Sequence, residues 1–144
     1  LSKGLGAPVG SLLLGTKEFI KKSRRVRKVL GGGMRQAGIL ASAASYALDF
    51  HVDRLIEDHK RAKAIAEVLG DANYVKELLP VDTNIIIFKL IDQVNADVFL
   101  AKLKSEGIVA NTMGKQTVRF VTHLDFDDDK LERTINVLRH LNSD

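Results

Sequence analysis

The chain opens on Leu1-Ser2-Lys3-Gly4-Leu5-Gly6-Ala7-Pro8-Val9-Gly10-Ser11, and an apolar run, Leu12-Leu13-Leu14, follows. One lysine sits here among three glycines, two serines and a proline. Glycines this dense let backbone come close to a ligand or to another segment, because no Cβ stands in the way. A lysine on such a ribbon, set against apolar surroundings, is a candidate for Schiff-base chemistry, which needs an amine that gives up its proton readily. An exposed turn lysine fits the same spacing, and by spacing alone it is the commoner case.

The bulk of the chain narrows the class. Its 144 residues, 45% of them apolar, suit a globular protein with a real core. No apolar run approaches the ~20 residues that span a bilayer, so no membrane partner is expected. Lys3 leads into glycines rather than an apolar stretch, unlike a secretory signal. There is no cysteine, which fits a cytoplasmic protein and leaves no thiolate for a metal. A start on Leu-Ser-Lys, without methionine, leads us to expect a part of a longer polypeptide.

The net charge of +4 is unevenly placed. Lys17, Lys21, Lys22, Arg24, Arg25, Arg27 and Lys28 stand against Glu18 alone, while Asp125 to Asp129 is acidic. The basic run falls in a helical pattern from Lys17 to about Leu30, with Thr16 as N-cap and Phe19, Ile20, Ser23, Val26 and Leu30 near one face. Such a helix suits a nucleic acid or an anionic membrane. With one aromatic and a narrow apolar stripe it reads better as a solvated or subunit-interface face, so no nucleic-acid partner is expected. Residues 9–14 ahead of it read as a short buried strand.

Gly31-Gly32-Gly33 ends the basic helix, and a second helix is expected from near Met34 to about Phe50. A glycine-rich loop before a helix N-terminus offers free N–H groups to an anion, and Lys28 and Arg35 flank it. A plain hinge fits the same glycines. The helix that follows is rich in Ala, Gly and Ser and uncharged until Asp49. A helix with no polar face is buried all round, which implies a cover from a preceding domain or a partner subunit. A third helix is expected over residues 51–69, with Leu55, Ile56, His59, Ala62, Ala66 and Leu69 inward and Glu57, Asp58, Lys60, Arg61 and Lys63 in water. His59 reads as a packed histidine rather than a ligand.

Beyond Gly70 the period changes to two. Strands are expected at residues 84–90, 108–110 and 117–124, a helix from Ala96 to Glu106, and a last helix capped by Asp127 or Asp128 with Leu131, Ile135, Leu138 and Leu141 inward. The result is a small α+β domain with a mainly antiparallel sheet. In its third strand Val118, Phe120, Thr122 and Leu124 take the core face, and Arg119 points the other way. An arginine on a strand is a rigid fork for a carboxylate, while by position alone a surface ion pair is the commoner case. His123 lies ~13 Å along the same face, too far to share that contact. No histidine pair has metal-ligand spacing, and Asp127-Asp128-Asp129 reads as a helix cap, so no metal is expected.

Three blocks, in this order, resemble the low-specificity L-threonine aldolases: Ser2 to Ser11, Arg27 to Gly38, and Arg119-Phe120-Val121-Thr122-His123-Leu124. The resemblance implies an α/β fold, the C-terminal portion of a PLP-dependent transferase-like fold. Residues 1–50 would end the large cofactor-binding domain and residues 51–144 would form the small one. It implies pyridoxal 5'-phosphate held covalently by Lys3, with Lys28 and Arg35 near the phosphate across a subunit interface, and Arg119 on the substrate α-carboxylate. The implied reaction cleaves L-threonine or L-allo-threonine, β-hydroxy amino acids, to glycine and an aldehyde in a cytoplasmic homo-oligomer, a tetramer. The residues that meet the pyridine ring and take the hydroxyl proton would precede Lys3. A β-eliminating lyase or a serine hydroxymethyltransferase-like enzyme is the alternative reaction, and a basic-helix binding module the alternative without catalysis.

Overall fold

The computed structural model describes residues 1–141, and the chain separates into two compact units, Leu1–Asp53 and Arg54–Asp144. The first unit contains two helices, α1 (Lys17–Val29) and α2 (Gly38–Phe50). Thr16 caps α1: its backbone is extended and its hydroxyl accepts from Phe19 N–H at 3.3 Å. At the other end Gly31 takes φ +83° and donates to Lys28 O at 3.1 Å, while Gly32 donates to Arg27 O at 2.8 Å. Those back-bonds satisfy carbonyls that the end of a helix leaves open.

Two expectations for this unit are corrected. Residues 9–14 form no strand, and Leu12, Leu13 and Leu14 are exposed. A strand needs a neighbouring edge for its N–H and C=O groups, and this unit supplies none. The second helix begins at Gly38 rather than near Met34, because residues 35–37 form a turn in which Gln36 takes φ 51°. A left-handed residue interrupts the helical ladder, so Arg35 lies before the helix and not in its first turn. α2 is as uncharged as expected, yet Ala47 is its only buried residue within this unit.

The second unit runs α3 (Leu55–Gly70), β1 (Val75–Leu78), β2 (Ile85–Leu90), α4 (Ala96–Ser105), β3 (Asn111–Thr112), β4 (Thr117–Val121) and α5 (Asp128–His140). Its sheet has the order β1-β2-β4-β3 and is antiparallel at each pairing. Alternation puts Ile86, Phe88 and Leu90 of β2 and Val118 and Phe120 of β4 on one face, and all five are buried. Ala62, Ile65 and Leu69 of α3, Phe99 and Leu103 of α4 and Leu138 of α5 close over that face. Phe88 lies at the middle, edge-on to Phe120 at 5.3 Å and to Phe99 at 6.2 Å.

The α+β reading with an antiparallel sheet holds, and several limits move. α3 starts at Leu55 rather than His51, and its inward face is Asp58, Ala62, Ile65 and Leu69, with Ile56 exposed. The strand expected at 108–110 is displaced to Asn111–Thr112, and β4 stops at Val121, short of Leu124. β1 went unforeseen because Lys76 and Glu77 interrupt its alternation at a bulge between Val75 and Glu77. Between β3 and β4, Gln116 takes φ 74° and its side-chain amide donates to Ile91 O at 3.1 Å and Val94 O at 2.5 Å. Those bonds offset the cost of a left-handed glutamine and tie the turn to the start of α4.

Tyr74 is buried and donates its hydroxyl to Leu138 O at 3.0 Å, which joins the loop before β1 to α5. Burial disfavours the phenolate and pushes this phenol from 10.0 up to about 12. The folded chain therefore keeps a proton that the unfolded chain has lost. Stability from this group is fully present below pH 10.0 and falls as pH rises towards about 12. Urea denaturation across that range should show the loss, and Tyr74→Phe should shrink it.

Candidate functional site

Lys3 is exposed and opens a tight turn, closed by Gly6 N–H donating to Lys3 O at 2.9 Å. Gly6 takes φ 70°, so the glycine there meets a conformational demand. The turn is tied down from a distance by His51 at the C-terminal end of α2, whose Nδ1 lies 2.6 Å from Leu5 O. Lys3 thus sits on a short backbone ribbon held at the carbonyls of Leu1, Lys3 and Leu5, with no ion pair to its amine among the described residues.

In the same unit, the triple glycine folds back under the end of α1. A Cβ at Gly32 would lie 2.6 Å from Arg27 Cγ and 2.9 Å from Arg27 O, so no side chain fits there. A Cβ at Gly33 would meet Lys28 Nζ at 3.2 Å, which places that ammonium directly above the loop backbone. Lys28 and Arg35 are both exposed, and neither has an ion-pair partner among the described residues. Lys3, Lys28 and Arg35 all belong to the first unit. The glycine loop runs beneath Lys28, and Arg35 follows it in a turn ahead of α2 rather than in the helix's first turn.

Arg119 belongs to the second unit. β4 pairs it with Ile87 of β2 on one side and Asn111 of β3 on the other, on the sheet face away from the core. Its Nε is buried and makes no hydrogen bond among the described residues. A buried guanidinium N–H without an acceptor costs on the order of 1–3 kcal/mol.

The strand end behind Arg119 is clamped. Thr122 is buried, donates Oγ1–H to Asp58 O at 2.7 Å, and donates its N–H to Asn84 O at 3.0 Å. Asn84 returns a side-chain N–H to Thr122 O at 2.7 Å. Asp58 has a fully buried carboxylate held by both terminal nitrogens of Arg54, at 3.2 and 2.7 Å. The sequence reading missed this set: Asp58 looked like a wet-face residue, and the Arg54–Asp58 spacing of four was its only trace. His59 is half-buried as expected, and His123 is exposed and accepts from Asp125 N–H at 3.2 Å through Nδ1. No cluster of three metal-ligating side chains occurs among the described residues. A groove of about 760 Å³ along α4 and α5 mixes acids and bases and contains none of these residues.

This fold is the C-terminal portion of a PLP-dependent transferase-like fold. A transaminase structure superposes with a TM-score of 0.62 at 18% identity, covering 89% of this chain and 35% of that one. The sequence matches the family described as beta-eliminating lyase over residues 1–93, and the chain belongs to that family. It is 45% identical over 131 residues to the low specificity L-threonine aldolase of Escherichia coli strain K12, covering 91% of this chain and 38% of the relative. With low-specificity L-threonine aldolase 1 of Arabidopsis thaliana it shares 41% over 126 residues, 85% of this chain and 35% of that one. The chain therefore spans a little over a third of these relatives.

The clamp yields a direct expectation. Thr122→Val keeps the shape but removes the buried hydrogen bond to Asp58 O, and should lower stability by about 0.5–1.5 kcal/mol in denaturant titrations. Thr122→Ser, which keeps the hydroxyl, should recover most of it.

Proposed function

We propose that the complete protein containing this chain is a pyridoxal-phosphate-dependent aldolase that cleaves L-threonine and L-allo-threonine to glycine and acetaldehyde. The observation that carries this reading is the 45% identity to a low specificity L-threonine aldolase over 91% of the chain. The local geometry supports it. Lys3 presents an exposed amine on a pinned glycine ribbon, which suits covalent capture of the cofactor aldehyde. Lys28 and Arg35 supply two cations for the phosphate, delivered to a neighbouring subunit's site in a homo-oligomer, a tetramer on this reading. Residues 1–50 end the large domain and residues 51–144 form the small one. The protein acts in the cytoplasm.

Arg119 holds the substrate α-carboxylate. A planar fork fixes that group bidentately and so sets which bond at Cα can break. The bound cofactor supplies the electron sink for that cleavage. The groups on this chain bind and orient; proton removal from the substrate hydroxyl falls to residues outside it.

Two measurements on the complete protein test this. Lys3→Ala should abolish the visible absorbance of lysine-bound pyridoxal phosphate together with acetaldehyde release from threonine; a persistent band would move the cofactor lysine elsewhere. Arg119→Lys replaces a fork by a point charge and should raise the threonine KM by on the order of tenfold or more. An unaltered KM would remove Arg119 from the carboxylate. A lysine-bound cofactor without acetaldehyde would instead mark a β-eliminating relative.

A further inference from the structure

We propose that His51 is the positioning residue for Lys3: its imidazole holds the turn that presents the cofactor-binding amine. The inference rests on the reading of Lys3 as the cofactor lysine. His51 is 46 residues from Leu5 in sequence, and its Nδ1 lies 2.6 Å from Leu5 O. A carbonyl only accepts, so Nδ1 carries the proton and donates. Leu5 is an inner residue of the turn that Gly6 N–H closes onto Lys3 O at 2.9 Å. The histidine therefore bonds the one turn that fixes where the Lys3 backbone lies.

Three features make the contact a built one. His51 ends α2 as its C-cap residue, and its own N–H donates to Ala47 O at 2.9 Å, so its backbone is set by the helix. The Tyr46 ring stands edge-on to the imidazole, with centroids 5.5 Å apart and planes at 88°, which fixes the ring orientation. Tyr46 is in turn packed against Phe50 at 4.6 Å. The ribbon's other bonds, Gly6 N–H to Lys3 O and Ala7 N–H to Leu1 O, lie within the ribbon itself, so the His51 bond is what ties this glycine-rich turn to α2 and spares Lys3 part of the ordering cost on binding.

The test is cofactor retention in the complete protein, measured as the Kd and release rate of pyridoxal phosphate from absorbance after gel filtration. His51→Phe keeps a ring beside Tyr46 and removes the donor; it should release pyridoxal phosphate roughly two- to tenfold faster. His51→Asn places an amide N–H where Nδ1 stood and should restore retention to near the parent value. Equal retention in His51→Phe and the parent would overturn the proposal, as would equal losses in the phenylalanine and asparagine variants. Lys3→Ala separates this from the reading beneath it. If that variant keeps the lysine-bound absorbance, the assignment of Lys3 fails; if it loses the band while His51→Phe retains cofactor normally, only the role of His51 fails.

Discussion

The pairing of β2 with β4 is the constraint on which the second unit depends. Ile86 faces Phe120 and Phe88 faces Val118 across that pair, so one register settles five core residues at once. A slip of one residue would turn Phe120 out and Arg119 in, burying a guanidinium in a dry core. The hydrophobic contacts that stabilise the unit and the exposure of its candidate binding arginine are thus one geometric fact. Three helices close over the dry side. The Thr122–Asn84 exchange and the Thr122 bond to Asp58 O then stop the strand end from moving independently of β2 and α3.

The first unit is organised differently. Among its described residues only Ala7 and Ala47 are buried apolar side chains, so little of its order comes from a core. Backbone bonds carry it instead: the Thr16 cap, the glycine back-bonds to Arg27 and Lys28, and the His51 tie to Leu5. These interactions are local in strength, each about 0.5–1.5 kcal/mol, but they fix backbone positions well. The same backbone geometry carries Lys3, Lys28 and Arg35 on exposed segments. It also accounts for the glycines, since Gly32 and Gly33 lie where a Cβ would strike Arg27 or crowd Lys28.

Much of this was legible in the amino-acid order. Period-two alternation located β2 and β4 and set Arg119 opposite Val118 and Phe120, because a strand has no other way to place neighbours. Thr16 and Asp127 announced α1 and α5, since their side chains meet N–H groups within three residues. Lys3, Lys28, Arg35 and Arg119 were marked by motif, and the structure adds the local settings of each. Most of what depended on chain neighbours alone survived translation into three dimensions, apart from helix starts such as that of α2, which the left-handed Gln36 delays to Gly38.

Whatever depended on distant partners did not. Residues 9–14 had the composition of a strand but no edge to join, and β1 formed despite Lys76 and Glu77 because β2 offered one. Asp58 carries the plainest example. By its sequence it belonged to water, and the structure buries it completely, since Arg54 neutralises its carboxylate while Thr122 takes up its carbonyl. The tie from His51 to Leu5 spans 46 residues and leaves no periodic trace. Sequence determined the local periods, the caps and the chemical types of the candidate site residues. Only the tertiary structure decided which polar groups find partners across the chain, because the desolvation cost of a polar group depends on partners that no local pattern encodes.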